Sequence, residues 1–174
     1  NIWNEQPSLE IGSDFSYVRW QAKLGQILRV GHRKWFELDI IHASTSGESP
    51  LQKKFQLGSP AILRGYPQQT DLSDDNLLAS RLNFKFPLIT KPLWGMMSAF
   101  KIQGTVFYDQ GKIWSKNISY EKAKHLENAG MGIEWTLDTA SLFQVPLKIE
   151  VAFPLNDPDY KKPQFIFLGV LTGS

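Results

Sequence analysis

Apolar and polar residues alternate with a period of two along most of the chain, and this restricts the fold to a sheet with two unlike faces. In residues 18–28, Val18, Trp20, Ala22, Leu24 and Leu28 share one side, and Arg19, Gln21 and Lys23 share the other. The same pattern returns in 35–43, where Phe36, Leu38 and Ile40 oppose Glu37 and Asp39. In 77–87, Leu82, Phe84 and Phe86 oppose Arg81, Asn83 and Lys85, and Pro87 is expected to end that strand by removing a backbone donor. Residues 99–114 set Phe100, Ile102 and Val106 against Lys101, Gln103, Thr105, Phe107 and Asp109. Shorter alternating runs follow at 131–137 and at 147–153, the second with Leu147, Ile149, Val151 and Phe153 on one side. A last strand at 164–171 is too apolar for its faces to be assigned.

The connections alternate between short and long, so one end of the sheet carries tight turns and the other carries loops. Residues 138–141 suit a short turn. The longer connections are 44–76 and 115–128, and 120–126 within the second suits a helical turn. Pairing of 18–28 with 35–43 would set Arg19 and Lys23 against Glu37 and Asp39, a favourable cross-strand arrangement.

Several strands approach the 9 to 11 residues that cross a bilayer at a tilt. Trp20, Trp35, Trp94 and Trp114 sit near strand ends, where a membrane girdle would put them. The polar side mixes both charges with glutamine and asparagine, as a hydrated lumen does. A soluble sandwich or lipid-binding barrel alternates in the same way with its apolar face turned inward, so period alone leaves both open. In a membrane barrel, Leu82, Phe84, Phe86, Ile102, Val106, Ile149 and Val151 form the lipid face.

The 174 residues fit one domain with room for a core. A net charge of +2 without a basic run gives no sign of a nucleic-acid partner. Absence of cysteine excludes disulfides, thiolate metal sites and cysteine nucleophiles. His32, His42 and His125 lie in unrelated segments without ligand spacing, and no nucleophile elbow or phosphate loop is present. No catalytic, cofactor or metal site is expected.

The long connection holds the most specific stretch. Residues 55–66 read Phe-Gln-Leu-Gly-Ser-Pro-Ala-Ile-Leu-Arg-Gly-Tyr, with Leu63, Arg64, Gly65 and Tyr66 at the end. Gly65 offers a backbone conformation barred to residues with a Cβ, which would hold Arg64 at a fixed angle. A guanidinium so presented seeks a planar anionic partner. Asp109, one step from Phe107 on the polar side of its strand, is the candidate, with Gly111 one step beyond.

This stretch resembles the loop motif of the bacterial surface antigen superfamily, the outer-membrane barrels of BamA, TamA and FhaC type. Asn83-Phe-Lys-Phe-Pro-Leu88 resembles the strand that follows in that family, and 104–114 resembles the next, with Phe107, Asp109 and Gly111 matching its Phe-x-Asp-x-Gly pattern. Residues 129–135, 146–155 and 165–169 are similar to the last three strands. The family pattern usually has Glu and Arg where Asn83 and Lys85 stand, so an ion pair built on that Glu is absent. The resemblance implies an all-β, antiparallel transmembrane barrel in the bacterial outer membrane. The chain would be its C-terminal part of about seven or eight strands, the eighth formed if 9–15 pairs, belonging to a larger closed barrel.

It also implies a long loop at 44–76 that folds into the lumen, with Arg64 gripping the inner wall, and a weak seam between first and last strands. Work in inserting or translocating proteins follows, with outer-membrane lipid, a client polypeptide or β-barrel precursor and accessory assembly subunits as partners. The alternatives are a barrel anchoring a fused lipase or phosphatase, or a soluble lipid-binding barrel.

Overall fold

In a computed structural model, the chain is a long antiparallel sheet with one loop folded back across it. The structure describes residues 2–5, 16–68, 72–91, 97–139, 143–157, 159–160, 162–169 and 172–173. The strands are β1 (Ile2–Glu5), β2 (Tyr17–Gly31), β3 (Lys34–Gly47), β4 (Phe55–Gln56), β5 (Ser73–Asp74), β6 (Asn76–Lys91), β7 (Met97–Trp114), β8 (Lys124–Thr139), β9 (Phe143–Pro154), β10 (Gln164–Gly169) and β11 (Thr172–Gly173). The main sheet runs β1-β2-β3-β6-β7-β8-β9-β10, with β11 also pairing β9, and β4 and β5 form a small ribbon of their own. Every pairing between these strands is antiparallel, and among the described residues the sheet does not close on itself, as befits part of a larger barrel.

The alternation sets the faces. On the inner face, Ile41, Ala43, Leu77, Ala79, Ile113 and Leu126 meet Phe55, Leu57, Leu63, Tyr66 and Leu72 of the long connection in one buried cluster. The loop therefore supplies almost half of the core, and its apolar side chains gain the roughly 1.5–3 kcal/mol that complete burial of a Leu or Phe is worth. On the outer face, Leu82, Val106 and Ile149 are exposed and Phe84, Phe86, Ile102 and Val151 are half-buried. Phe84 pairs across the strands with Val106, and Phe86 with Gly104. Met131, Ile133, Phe165 and Phe167 extend this uncovered apolar belt, far more than a water-facing surface of a monomer carries.

Several elements differ from the pattern drawn from sequence. β6 runs through Pro87 to Lys91, because a register shift between Pro87 and Ile89 absorbs the missing donor. β8 begins at Lys124, so 124–128 is strand, and only Tyr120–Lys122 forms a short 3₁₀ turn. Likewise β3 extends through 44–47 before the long connection starts. Trp35 lies on the inner side, donating to Glu37 Oε1 at 2.8 Å, so it is no girdle residue. Residues 9–15 and Trp94 lie outside the described residues, as does 140–142, while Asp138 and Thr139 belong to β8.

The expected charge ladder is also rearranged. Lys23 meets Asp39 diagonally at 3.6 Å, whereas Arg19 lies over the Phe55 ring at 4.2 Å. Glu37 is 3.2 Å from Lys85, which also meets Glu134 at 3.6 Å.

Candidate functional site

Local sequence shapes the loop before the sheet receives it. Ser59 and Pro60 open a tight turn, as Ser at the first and Pro at the second position favour. Ser59 accepts from the backbone N–H groups of Ile62 (3.1 Å) and Leu63 (2.9 Å), and its Oγ accepts from Ile62 N at 3.2 Å. Leu63 is fully buried, and Arg64 follows it down onto β7.

Arg64 is itself buried, and all three nitrogens of its guanidinium donate to side chains on several strands. Nε donates to Asp109 Oδ2 at 2.8 Å and Nη2 to Asp109 Oδ1 at 2.6 Å, the bidentate fork that suits a carboxylate. Nη2 also donates to Asn83 Oδ1 at 2.7 Å, and Nη1 to Glu150 Oε1 at 2.8 Å. The guanidinium carbon stands 3.5 Å over the centroid of Phe107. Asp109 additionally accepts from Asn128 Nδ2 at 3.1 Å. Glu150 is met from its own strand as well, by Lys148 Nζ 2.8 Å from Oε1. A second arginine, Arg81, holds the loop from β6 by donating to the Ala61 carbonyl at 2.7 Å, its Nε 3.8 Å from Asp109.

Tyr66 closes the upper end. Its ring is buried against Tyr160, centroids 5.5 Å apart, and its hydroxyl donates to the Glu127 carbonyl at 2.9 Å with Asn156 Oδ1 3.2 Å away. Burial pushes its phenol up to about 12.

Gly65 serves a different need from the one the sequence suggested. Its backbone is not in the left-handed region, the described glycine with positive φ being Gly47. What excludes a side chain is space: a Cβ at Gly65 would stand 2.6 Å from Asn128 Cβ. Gly130 does the same service for Phe107, its cross-strand partner, since a Cβ there would lie 2.3 Å from the ring. Gly111 leaves room for Leu57, 2.4 Å from where its Cβ would be.

Arg64, Asp109 and Phe107 thus come together, with Leu63, Gly65, Tyr66 and Gly111 around them. The outer-face residues Leu82, Phe84, Phe86, Ile102, Val106, Ile149 and Val151 stand on the opposite side of the sheet. Sequence reasoning missed Glu150, Asn128, Arg81 and Lys148. Inward alternation along β9 put Glu150 and Lys148 on a shared polar side and gave no indication that the loop descends as far as Glu150.

Arrangement and sequence have a common explanation. A family model for the Omp85 superfamily domain matches residues 3–169. The chain belongs to the Omp85 superfamily. Omp85 proteins are bacterial outer-membrane proteins that act in protein assembly or secretion, as transporters or assembly factors and not as enzymes. No curated protein matches the chain. Within the Omp85 chain, the described residues hold no group of three or more His, Cys, Asp or Glu able to bind a metal. Its polar site is a set of ion pairs and hydrogen bonds with no nucleophile beside a base. Its bonds run from the loop to β6, β7 and β9.

Proposed function

We propose that this chain is barrel wall of an outer-membrane device that inserts β-barrel precursors or passes polypeptide across the membrane, and that the Arg64 loop is its internal lock. The buried fork between Arg64 and Asp109 is the observation that carries this reading. A 28-residue surface excursion such as 48–75 would normally be solvated and variable in position, as loops are. Here its arginine makes four side-chain hydrogen bonds below the loop, with the side chain fully buried. Such a lock keeps a wide barrel from being filled by water alone and gives the sheet an internal brace when its edges part.

Outer-membrane lipid would contact the outer belt of Leu82, Phe84, Phe86, Ile102, Val106, Ile149 and Val151, which lies on the side of the sheet away from the loop. Client polypeptide and accessory subunits would engage the sheet edges and the turn end.

The decisive experiment places the intact protein in lipid vesicles and supplies either an unfolded β-barrel precursor or a secretory polypeptide. Insertion or translocation by the parent, lost on Arg64→Ala with the protein still membrane-embedded, is the expected result. Membrane embedding with neither activity, whichever substrate is supplied, would overturn the assignment in favour of a passive barrel anchor.

A further inference from the structure

The guanidinium of Arg64 reaches beyond the strand that Asp109 occupies. Asp109 and Asn83 tie the loop to β7 and β6, in the middle of the sheet. Nη1 instead donates to Glu150 on β9, next to the last long pairing of the sheet. Glu150 is buried and lies directly opposite Ile166 of β10 in the register. Ile166 is in turn buried with Ala152 and Phe107, and Phe107 is the ring beneath Arg64. Two routes therefore lead from one guanidinium to β10, an ionic one through Glu150 and a packed one through Phe107.

β10 needs such bracing. It is six residues long, it pairs with β9 alone among the described residues, and Phe165 and Phe167 on its outer side make no inward contribution. An edge held only by a short ladder opens readily. Lys148 on the same strand also meets Glu150, its Nζ 2.8 Å from Glu150 Oε1.

We propose that Glu150 is a positioning residue that extends the anchorage of the loop to β9, so that the seated loop holds the β9–β10 edge in place and its release loosens that edge. This rests on the reading of the loop as a lock and adds to it control of one particular edge.

Backbone hydrogen exchange of the intact protein in lipid vesicles tests it. Glu150→Gln should speed exchange several-fold in 147–153 and 164–169 while leaving 76–89 and 102–114 as in the parent. Glu150→Asp, which keeps the charge but shortens the reach by one methylene, should give the same pattern to a smaller degree and serves if Glu150→Gln fails to assemble. The pair Asn83→Glu with Glu150→Gln moves the second carboxylate to β6. It should restore thermal stability towards the parent and leave 164–169 exchanging fast. Parent-like exchange at 164–169 in both single variants, or its restoration by the relocated carboxylate, would overturn the proposal and leave Glu150 a mere counter-charge. Asp109→Asn separates the two levels: if it fails to loosen 55–66, the lock itself is wrong whatever Glu150 does.

Discussion

Arg64 stands over Phe107, its guanidinium carbon 3.5 Å from the ring centroid, while Nε and Nη2 of the same group fork onto Asp109. Face and edge of one cation are thus both used, in a place from which water is excluded. A desolvated cation over an aromatic face is worth about 2 kcal/mol. Phe107→Leu keeps an apolar side chain but removes the π face, and should lower stability by about that amount in urea unfolding of the vesicle-embedded protein. A variant as stable as the parent would reduce the ring to a filler of volume.

Removing either charge from the fork is expected to be harsher. Arg64→Ala takes the fork from Asp109, and Asp109→Ala takes from Arg64 the carboxylate that forks with it, each at about 3 to 5 kcal/mol. Combining them should cost little more than one alone, because the second substitution removes the charge that the first left unpaired. Additive losses in the same unfolding measurement would mean that the two residues act independently.

Legibility in the sequence followed the range of the physics. Period-two alternation exposes faces, so residues as distant as Leu82 and Ile149 fall on one side whatever strands they pair with. Asp109 could be named as the partner of Arg64 because it lay on the polar side of a strand whose Phe107 and Gly111 matched a pattern. Strand ends were less legible. Pro87 stops a regular strand but not one that shifts register there, and the polar residues 124–128 hide a strand whose inner side chains Leu126 and Asn128 face a loop. Glu150 was invisible as a site residue because nothing local records how deep a distant arginine will reach. Gly65 was noticed for the wrong reason: its neighbour across space, Asn128, is 63 positions away in sequence.

Raising pH should weaken the hold of Tyr66 on the upper end of the loop. The Tyr66 phenol, ordinarily at 10.0, is held up to about 12 in the folded protein by burial. Its protonated form is therefore favoured by folding, and that contribution is complete below pH 10 and is lost as pH rises from 10 to 12. Tyr66→Phe lacks the hydroxyl and should start about 0.5–1.5 kcal/mol less stable. The lead of the parent should then shrink between pH 10 and 12, a change read directly from unfolding midpoints of the two proteins. A lead that stays constant to pH 12 would contradict the burial of the phenol.

Charge on the outer face tests the orientation of the whole sheet. Phe84 stacks on Phe86, centroids 5.7 Å apart, and packs on Phe36 at 4.8 Å, all on the side away from the loop. Phe84→Lys puts an ammonium mid-strand on that side, which in a bilayer costs about 2 to 4 kcal/mol. It should depress folding into vesicles and the heat stability of what does fold. Unchanged insertion and heat stability would mean that this side meets water.

Gly65 separates two reasons for a glycine. If the residue were needed for backbone freedom, any side chain there would be harmful whatever lay opposite. The backbone, however, is ordinary, and the obstacle is Asn128, whose Cβ and Cγ would stand 2.6 and 3.0 Å from an added Cβ. Neither atom is the far end of a flexible chain, so Gly65→Ala must push the loop off β8 and lengthen the contacts of Arg64. Asn128→Gly removes the obstacle and forfeits only the 3.1 Å bond from Asn128 Nδ2 to Asp109. The double variant Gly65→Ala with Asn128→Gly should therefore be more stable than Gly65→Ala alone, a reversal that thermal unfolding detects. Should the second substitution deepen the loss, Gly65 is required for its conformation after all, and close approach to Asn128 is incidental.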